Sequence, residues 1–319
     1  YGLFFQFFES DLNITSTSFG LSIGIQAIVW GIFATVFGLI ADKFGANKVV
    51  SFALIVYATG IFFISNFDSS GLFFQINLGL LVGIGLGGAA APIVVPTVAK
   101  HFPNHHRAKV AGIVTAFASV GMFVYPLISN TLFKLTTWNS VFNIFTIIMI
   151  LAALLALLLK KPAYENIQDT EKDQNFVDAI NEAFSHKGYL FLMAGFFVCG
   201  FQITLVATHV PNYIIQRGLE SWTGAAILSL IGLFNIFGTL TMGFLGDKYS
   251  KKFLLSCLYF FRGIILILFL FLPASSFTAI GFGIGFGFLW LATIPATFGI
   301  VAQIFGVKYL TMLSGIVFL

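Results

Sequence analysis

The sequence predicts an all-α membrane protein made of two related helical bundles, and three observations carry that prediction. Only 9% of the residues are charged and 58% are hydrophobic, whereas a soluble domain carries about 25% charged residues. The apolar residues fall in runs of about 20, enough to cross about 30 Å of hydrocarbon as helix. One polar pattern, Gly-xxx-Asp-Lys, stands twice in the oily chain: in GLIADKFGANK (38–48) and, 205 residues later, in GFLGDKYSKK (243–252).

The elements follow in order. The chain opens with YGLFFQFF (1–8) before the polar ESDLN. At about 1.5 Å per helical residue this run is too short to span a bilayer and reads as a partial first helix. Apolar runs then predict helices near 17–40, 48–66, 72–99, 108–133, 138–159, 188–214, 222–246, 252–272 and 277–304, with a closing partial helix over 308–319. Nine complete spans thus lie between two partial ones. The chain starts without Met and stops mid-run at GIVFL, so both ends read as cuts through transmembrane helices rather than as a signal peptide and a mature terminus. Residues 160–187 are polar and hold six of the twelve acidic residues. They read as a linker between an N-terminal bundle (1–159) and a C-terminal bundle (188–319), with a short surface helix over 174–185.

Orientation follows from the basic residues. The loops at 41–48, 100–109, 160–187, 247–252 and 305–308 fall on one side and hold thirteen Lys and Arg; the opposite loops hold only Lys134 and Arg217. That asymmetry places the first set in the cytoplasm and supports the helix count, since a missed span would scramble the alternation. The short basic clusters encode topology and are not a nucleic-acid signal. Cys199 and Cys257 lie inside apolar runs and read as small buried hydrophobes, with no disulfide framework or metal spacing.

The two Asp-Lys patterns end the second helix of each half. A weaker match pairs AGIV (111–114) with SGIV (314–317). Internal repeats of this size fit transporters whose halves are related by an axis along the membrane normal. The runs GIGLGG (83–88) and GIGFG (283–287) also occupy matching places. Neither follows a strand, which rejects nucleotide binding; small residues let helices pack closely in lipid.

Gly38-xxx-Asp42-xx-Gly45, with basic residues following, resembles the signature loop of the major facilitator superfamily between its second and third helices. In the second copy, Gly243-xxx-Asp247-xx-Ser250, Ser replaces the last Gly. The resemblance covers the whole chain. It implies two pseudo-symmetric six-helix bundles, with one helix and parts of two others missing here, and transport by alternating access. It also implies a conformational latch: Asp42 ties helix ends together at the cytoplasmic face, Lys43 accompanies it, and Gly38 and Gly45 allow close approach and tight turning. Gly243, Asp247 and Arg107, at the start of the fifth helix, form the second set. FVCGFQITLVATHVPNYI (197–214), LIGLFNIFGT (230–239) and WLATIPATFGIVAQIFG (290–306) are similar to a bacterial branch grouped with monocarboxylate transporters and oxalate/formate antiporters. In the antiporter branch an Arg after Asn-xx-Gly binds the substrate carboxylate; here Asn235-Ile-Phe-Gly238 is followed by Thr239.

Polar side chains inside spans are expensive and face a cavity or a neighbouring helix. Arg262, ten residues into the ninth helix, needs a partner or an anionic ligand, and Tyr259 at i−3 can stack on it. Ninth helices of the superfamily usually lie outside the cavity, so a structural Arg is an equal reading. His209, just before Pro211 on the seventh helix, is a candidate carrier of a coupling proton, because imidazole can both take up and release one; a packed His is the competing reading. Gln202 lies two turns deeper. Asn235, the pair Gln26 and Trp30, the stripe Trp290, Thr293 and Thr297, and Tyr125 beside Pro126 complete the substrate candidates, each with interhelical packing as its alternative. HFPNHHRAK (101–109) holds three His without metal geometry.

These readings converge on a secondary transporter in a bacterial inner membrane, monomeric in the lipid bilayer, without cofactor, metal or nucleic-acid partner. The expected solute is a small organic anion, monocarboxylate-like, with a proton as candidate coupling ion. The alternatives are an exporter of a drug or neutral metabolite, and a non-transporting membrane sensor. An enzyme is disfavoured because the sequence offers no ATP-binding loop, metal triad or Ser–His–Asp set.

Overall fold

The computed structural model of the chain describes residues 4–67, 71–158 and 175–318. Residues 159–174, most of the expected linker including Lys160 and Lys161, lie outside the described residues, as do 1–3, 68–70 and 319.

Every regular element among the described residues is helical. The chain runs through α1 (Phe5–Leu12), α2 (Ser16–Phe44), α3 (Ala46–Asn66), α4 (Gly71–Phe74), a π-helical stretch (Gln75–Leu81), α5 (Val82–Ala89) and α6 (Ala91–Ala99). After a 3-10 turn (Asn104–His106) follow α7 (Arg107–Leu135), α8 (Trp138–Ala156), α9 (Phe176–Ser185), α10 (Lys187–Gln216) and α11 (Ser221–Lys248). The last elements are α12 (Lys251–Phe271), α13 (Ser276–Leu289), α14 (Thr293–Phe305) and α15 (Leu310–Phe318). Nine stretches among the described residues are long and apolar enough to cross a membrane, with Gly71–Ala99 and Ser276–Phe305 each taken as one.

Local chemistry sets the boundaries. Thr15 opens α2 by accepting the Ser18 N–H at 3.2 Å, a standard use of a hydroxyl at an N-cap. Gly45, at φ +99°, turns the chain from α2 into α3, a backbone conformation that glycine adopts without strain. Ser275 and Thr278 cap α13 reciprocally. Asn175 caps α9 by accepting from Val177 and Asp178, so the surface helix expected over 174–185 appears as α9. The short α1 is anchored through its aromatic face: Phe4 and Phe8 are fully buried, and the Phe8 ring meets Trp138 and Phe74 edge-on. The Trp138 indole donates to Asp11 at 2.7 Å. Donation first from Ser10 and then from Trp138 holds the Asp11 carboxyl below its ordinary value.

Two expected helices are not continuous. The run 72–99 starts as α4, widens into π-helix where Asn77 donates to the Phe73 carbonyl, and breaks at Ala90, which is extended at ψ −179°. Pro92 then stands in the first turn of α6, where a missing N–H costs nothing. The run 277–304 breaks at residues 290–292, and Pro295 occupies the first turn of α14. The two breaks fall at equivalent places after the equivalent glycine runs. The expected stripe Trp290, Thr293, Thr297 is corrected accordingly: Trp290 sits in the break and only the threonines lie on α14.

The described residues group into two compact units. One comprises Tyr1–Thr97, Leu127–Ala183 and Val307–Leu319; the other Val98–Pro126 and Phe184–Gly306. The first therefore includes α15 from the end of the chain, and the second includes most of α7. The first has a core of Phe37, Ala41, Val49, Val50, Ile93 and Ala156. The second is built around Val206, Val210, Ile227, Ile231, Phe282 and Phe286.

Candidate functional site

Each unit contains one helix junction with the same construction. In the first, α2 crosses α15. Gly38 lies so close to α15 that a Cβ there would come 2.8 Å from the Met312 Cα and the Thr311 carbonyl. On the other helix, a Cβ at Gly315 would come 2.5 Å from the Ala34 carbonyl. One turn beyond Gly38, Asp42 Oδ2 accepts the Met312 N–H at 2.9 Å, in the first turn of α15. In the second unit, α11 crosses α7. A Cβ at Gly243 would come 2.9 Å from the Ala108 carbonyl, and one at Gly112 would come 2.6 Å from the Thr239 carbonyl. Asp247 accepts from Ala108 N through Oδ1 at 3.2 Å and from Lys109 N through Oδ2 at 3.1 Å, in the first turn of α7.

The correspondence is residue by residue. Gly38, Asp42 and Ala34 map onto Gly243, Asp247 and Thr239 at an offset of 205, and Gly112 and Lys109 onto Gly315 and Met312 at 203. In both junctions a carboxylate meets the unpaired N–H groups and positive dipole end of a helix from the opposite half of the sequence. Bonds to an ionised acceptor are stronger than neutral ones. Around them, Lys43 Nζ lies 4.7 Å from the Phe176 ring centre and Lys109 Nζ 5.0 Å from that of Phe244. Arg107 begins α7 and donates from Nε to the Phe102 carbonyl, which closes the preceding loop.

A second polar constellation surrounds the break between α13 and α14. Arg262 of α12 is fully buried. Its Nη2 donates to the carbonyls of both Leu289 and Trp290, and its Nη1 to Cys199 Sγ at 3.1 Å. Tyr259 lies beneath it, with the guanidinium carbon 5.6 Å from the ring centre. Asn235 of α11, also fully buried, accepts the Leu291 N–H at 2.8 Å and donates to Ser119 Oγ of α7 at 2.8 Å. Thr293 Oγ1 lies 3.5 Å from Cys199 Sγ. The sequence-predicted residues Arg262, Asn235, Trp290 and Thr293 thus come together around one helix break. Cys199, expected as a mere small hydrophobe, is a hydrogen-bond partner of a buried cation.

The remaining candidates lie elsewhere. On α10, His209 is exposed and Gln202 keeps a buried Oε1 without a hydrogen-bond partner. On α2, Gln26 Nε2 and Trp30 Nε1 are buried without partners, and the Trp30 ring packs on Phe318 at 5.1 Å. Tyr125 is half-buried on α7. Thr239, at the position where the antiporter branch carries Arg, is fully buried and donates to the Asn235 and Ile236 carbonyls. A cavity of about 550 Å³ between α3 and α8 is lined by Ile55, Phe62, Ile147 and Ile150 among others and contains none of these candidates. Sequence reasoning did not single out Ser119 or the backbone of residues 289–291; Pro295, which lacks an N–H to donate, is a nearby mark in the sequence but also a residue that unbroken membrane helices tolerate.

A family model described as Major Facilitator Superfamily matches residues 1–319. Among curated relatives, the chain is 24% identical over 271 residues to the hexuronate transporter of Bacillus subtilis (strain 168), covering 82% of this chain and 63% of that one. It is 24% identical over 248 residues to the sialic acid transporter NanX of Escherichia coli (strain K12), covering 76% and 59%. The multi-drug resistance efflux pump PmrA of Streptococcus pneumoniae is 25% identical over 279 residues, covering 83% and 67%. The chain therefore spans less than two thirds of the length of the first two. Its backbone is similar to that of the E. coli fucose:proton symporter FucP, with a TM-score of 0.69 at 17% identity over 94% of this chain and 80% of that one. The proton:xylose symporter XylE gives 0.69 at 15% identity, covering 96% and 78%; at such identities the likeness shows the fold. With the family model matched from end to end, this chain belongs to the major facilitator superfamily.

Proposed function

We propose that the protein is a secondary transporter that moves a small organic anion across a membrane by alternating access, with a proton as the coupling ion. The observation that carries the transport reading is the repeated junction: the same carboxylate, glycines and helix N-terminus occur in both halves of the sequence. Each junction joins a helix of the proposed N-terminal bundle (1–159) to one of the proposed C-terminal bundle (188–319). Rocking of the bundles must break and remake such contacts, which a carboxylate on exchangeable N–H groups permits and an apolar seam does not. Gly38, Asp42, Lys43 and Gly45, with Gly243, Asp247 and Arg107, are the proposed latch. The loops at 41–48, 100–109, 160–187 and 247–252 are assigned to the cytoplasmic side on their basic residues.

The anion reading is supported by the relatives, whose names include hexuronate, sialic acid and nitrite. His209 is the proposed proton carrier, because Arg262 is engaged by helix carbonyls and a thiol. That engagement also removes the main cation from solute binding. It favours, as a second reading, an exporter of a drug or neutral metabolite, a class that PmrA represents; Gln202 and Gln26, with their unpartnered buried atoms, would supply its hydrogen bonds. The narrower monocarboxylate reading rests on the resemblances at 197–214, 230–239 and 290–306. The test is uptake of labelled glucuronate, sialic acid, lactate, oxalate, nitrate and xylose by the full-length protein in liposomes, with and without a pH gradient. Uptake of an acid that depends on the gradient and is abolished in His209→Ala supports the reading. Uptake of xylose alone, or gradient-independent efflux of a cationic dye, replaces it with the second.

A further inference from the structure

We propose that Arg262 and Asn235 are positioning residues that hold the break between α13 and α14 as a fixed elbow, so that both half-helices move as one body with α10, α11 and α12 during transport. This rests on the transporter reading for its role in the cycle but on geometry for the elbow itself. A break in a membrane-spanning helix frees backbone groups where no water can meet them, and such backbone persists only where neighbouring protein supplies partners. Among the groups freed here are the carbonyls of Leu289 and Trp290 and the N–H of Leu291. Arg262 meets both carbonyls and Asn235 meets the N–H. The clamp reaches across the break: Leu289 ends α13, while Thr293 begins α14 and lies against Cys199, itself bonded to Arg262. The guanidinium charge also faces the negative end of the α13 dipole. Ser119 holds Asn235 in turn.

The first half of the chain offers a comparison. Its equivalent break at Ala90 follows an equivalent glycine run and precedes Pro92, yet the positions matching Asn235 and Arg262 are Trp30 and Tyr57. There the Ala90 carbonyl accepts from Ile93 and Val94 N–H, both at 3.1 Å, and Ala90 N–H reaches Leu86. Local backbone bonds of the same kind occur at the second break, where Trp290 N–H reaches Gly287 and Ile294 N–H reaches Leu291, both at 3.0 Å; the side-chain donors and acceptor of Arg262 and Asn235 come in addition to them. The matching positions of the first half carry neither the amide nor the guanidinium that meets the second break. With both Arg262 and Asn235 fully buried, neither is placed to touch a solute in this conformation.

Cys199 reports on the elbow because its thiol is almost wholly buried against Arg262 and Thr293. In the full-length protein, with Cys257 and any cysteine outside residues 1–319 replaced, the rate of Cys199 alkylation by N-ethylmaleimide is followed by intact mass. Size exclusion and thermal melting give the folded fraction. Cys199 should react at least about tenfold more slowly than Cys257 does in the converse single-cysteine protein, as expected of a group reached only through local opening. Arg262→Gln and Asn235→Leu should raise the Cys199 rate at least about tenfold in protein that remains folded. Arg262→Lys, which can still donate to a carbonyl, should raise it less. Folded variants with wild-type alkylation, or wild-type Cys199 as reactive as Cys257, overturn the elbow; the second result needs no variant to fold. Alkylation requires no transport, so a failed uptake panel would remove the proposed function and leave the elbow standing.

Discussion

At Asp42 and Asp247 a single carboxylate supplies what a helix N-terminus lacks, an acceptor for unpaired N–H groups. The glycine one turn before each lets the two backbones come close enough for the bond to form. This yields a contrast within one helix. Gly38→Ala places a methyl 2.8 Å from the α15 backbone and should destabilise the protein by about 1–3 kcal/mol, as overpacking does. Gly20→Ala, also on α2 but with nothing within 4 Å of the new methyl, should be neutral or stabilise by about 0.5–1 kcal/mol through helix propensity. Thermal melting of the two variants in one detergent measures this; equal shifts would contradict the close crossing. The Asp positions were legible in the sequence because charges are rare in the chain and the pattern recurs. Their acceptor role toward Met312, Ala108 and Lys109 was not, since the donors are backbone groups of distant helices and carry no side-chain signature.

Among elements, the spans were legible and their interruptions were not. Hydrophobic runs mark where helix lies in lipid, but a break such as Ala90 or residues 290–292 is as apolar as the helix around it. Only Pro92, Pro295 and the glycine runs mark it, and those residues also occur in unbroken membrane helices. For the same reason Arg262 was legible as a buried cation needing a partner, but not as a ligand of helix carbonyls. The break also makes Ser119 more than a packing residue. Ser119→Ala leaves the buried Asn235 Nδ2 without its acceptor, and a buried donor left unpaired costs about 1–3 kcal/mol. Ser256→Ala, which removes a hydroxyl bonded to its own helix at Lys252, should cost less than Ser119→Ala in the same melting assay. The reverse order would argue against the Asn235 network.

The whole molecule is one helical design used twice, and most of that was readable from two short patterns and the spacing of the spans. That α15 groups with the first unit and most of α7 with the second was not readable, because the lipid-facing and helix-facing sides of such oily segments are similarly hydrophobic. Orientation remains a prediction of charge. Ser250→Cys, between α11 and α12, should label with a membrane-impermeant maleimide only from the cytoplasmic side, and Gly218→Cys, between α10 and α11, only from the other. Labelling of both from one side would undo the assignment.

In the proposed transport cycle the paired aspartate junctions are contacts that break and re-form. The most direct measurement is solute exchange in liposomes by full-length wild-type protein, Asp42→Asn, Asp247→Asn and the double variant, using whichever labelled solute the uptake panel identifies. Each carboxamide keeps an acceptor but loses the charge, weakening a charge-assisted bond by about 1–2 kcal/mol. Maximal exchange should fall at least about tenfold in Asp42→Asn and further in the double variant, while the half-saturating concentration moves less than about threefold, as a latch outside the solute site requires. Wild-type exchange rates in folded Asp42→Asn protein, or a change confined to the half-saturating concentration, would contradict it.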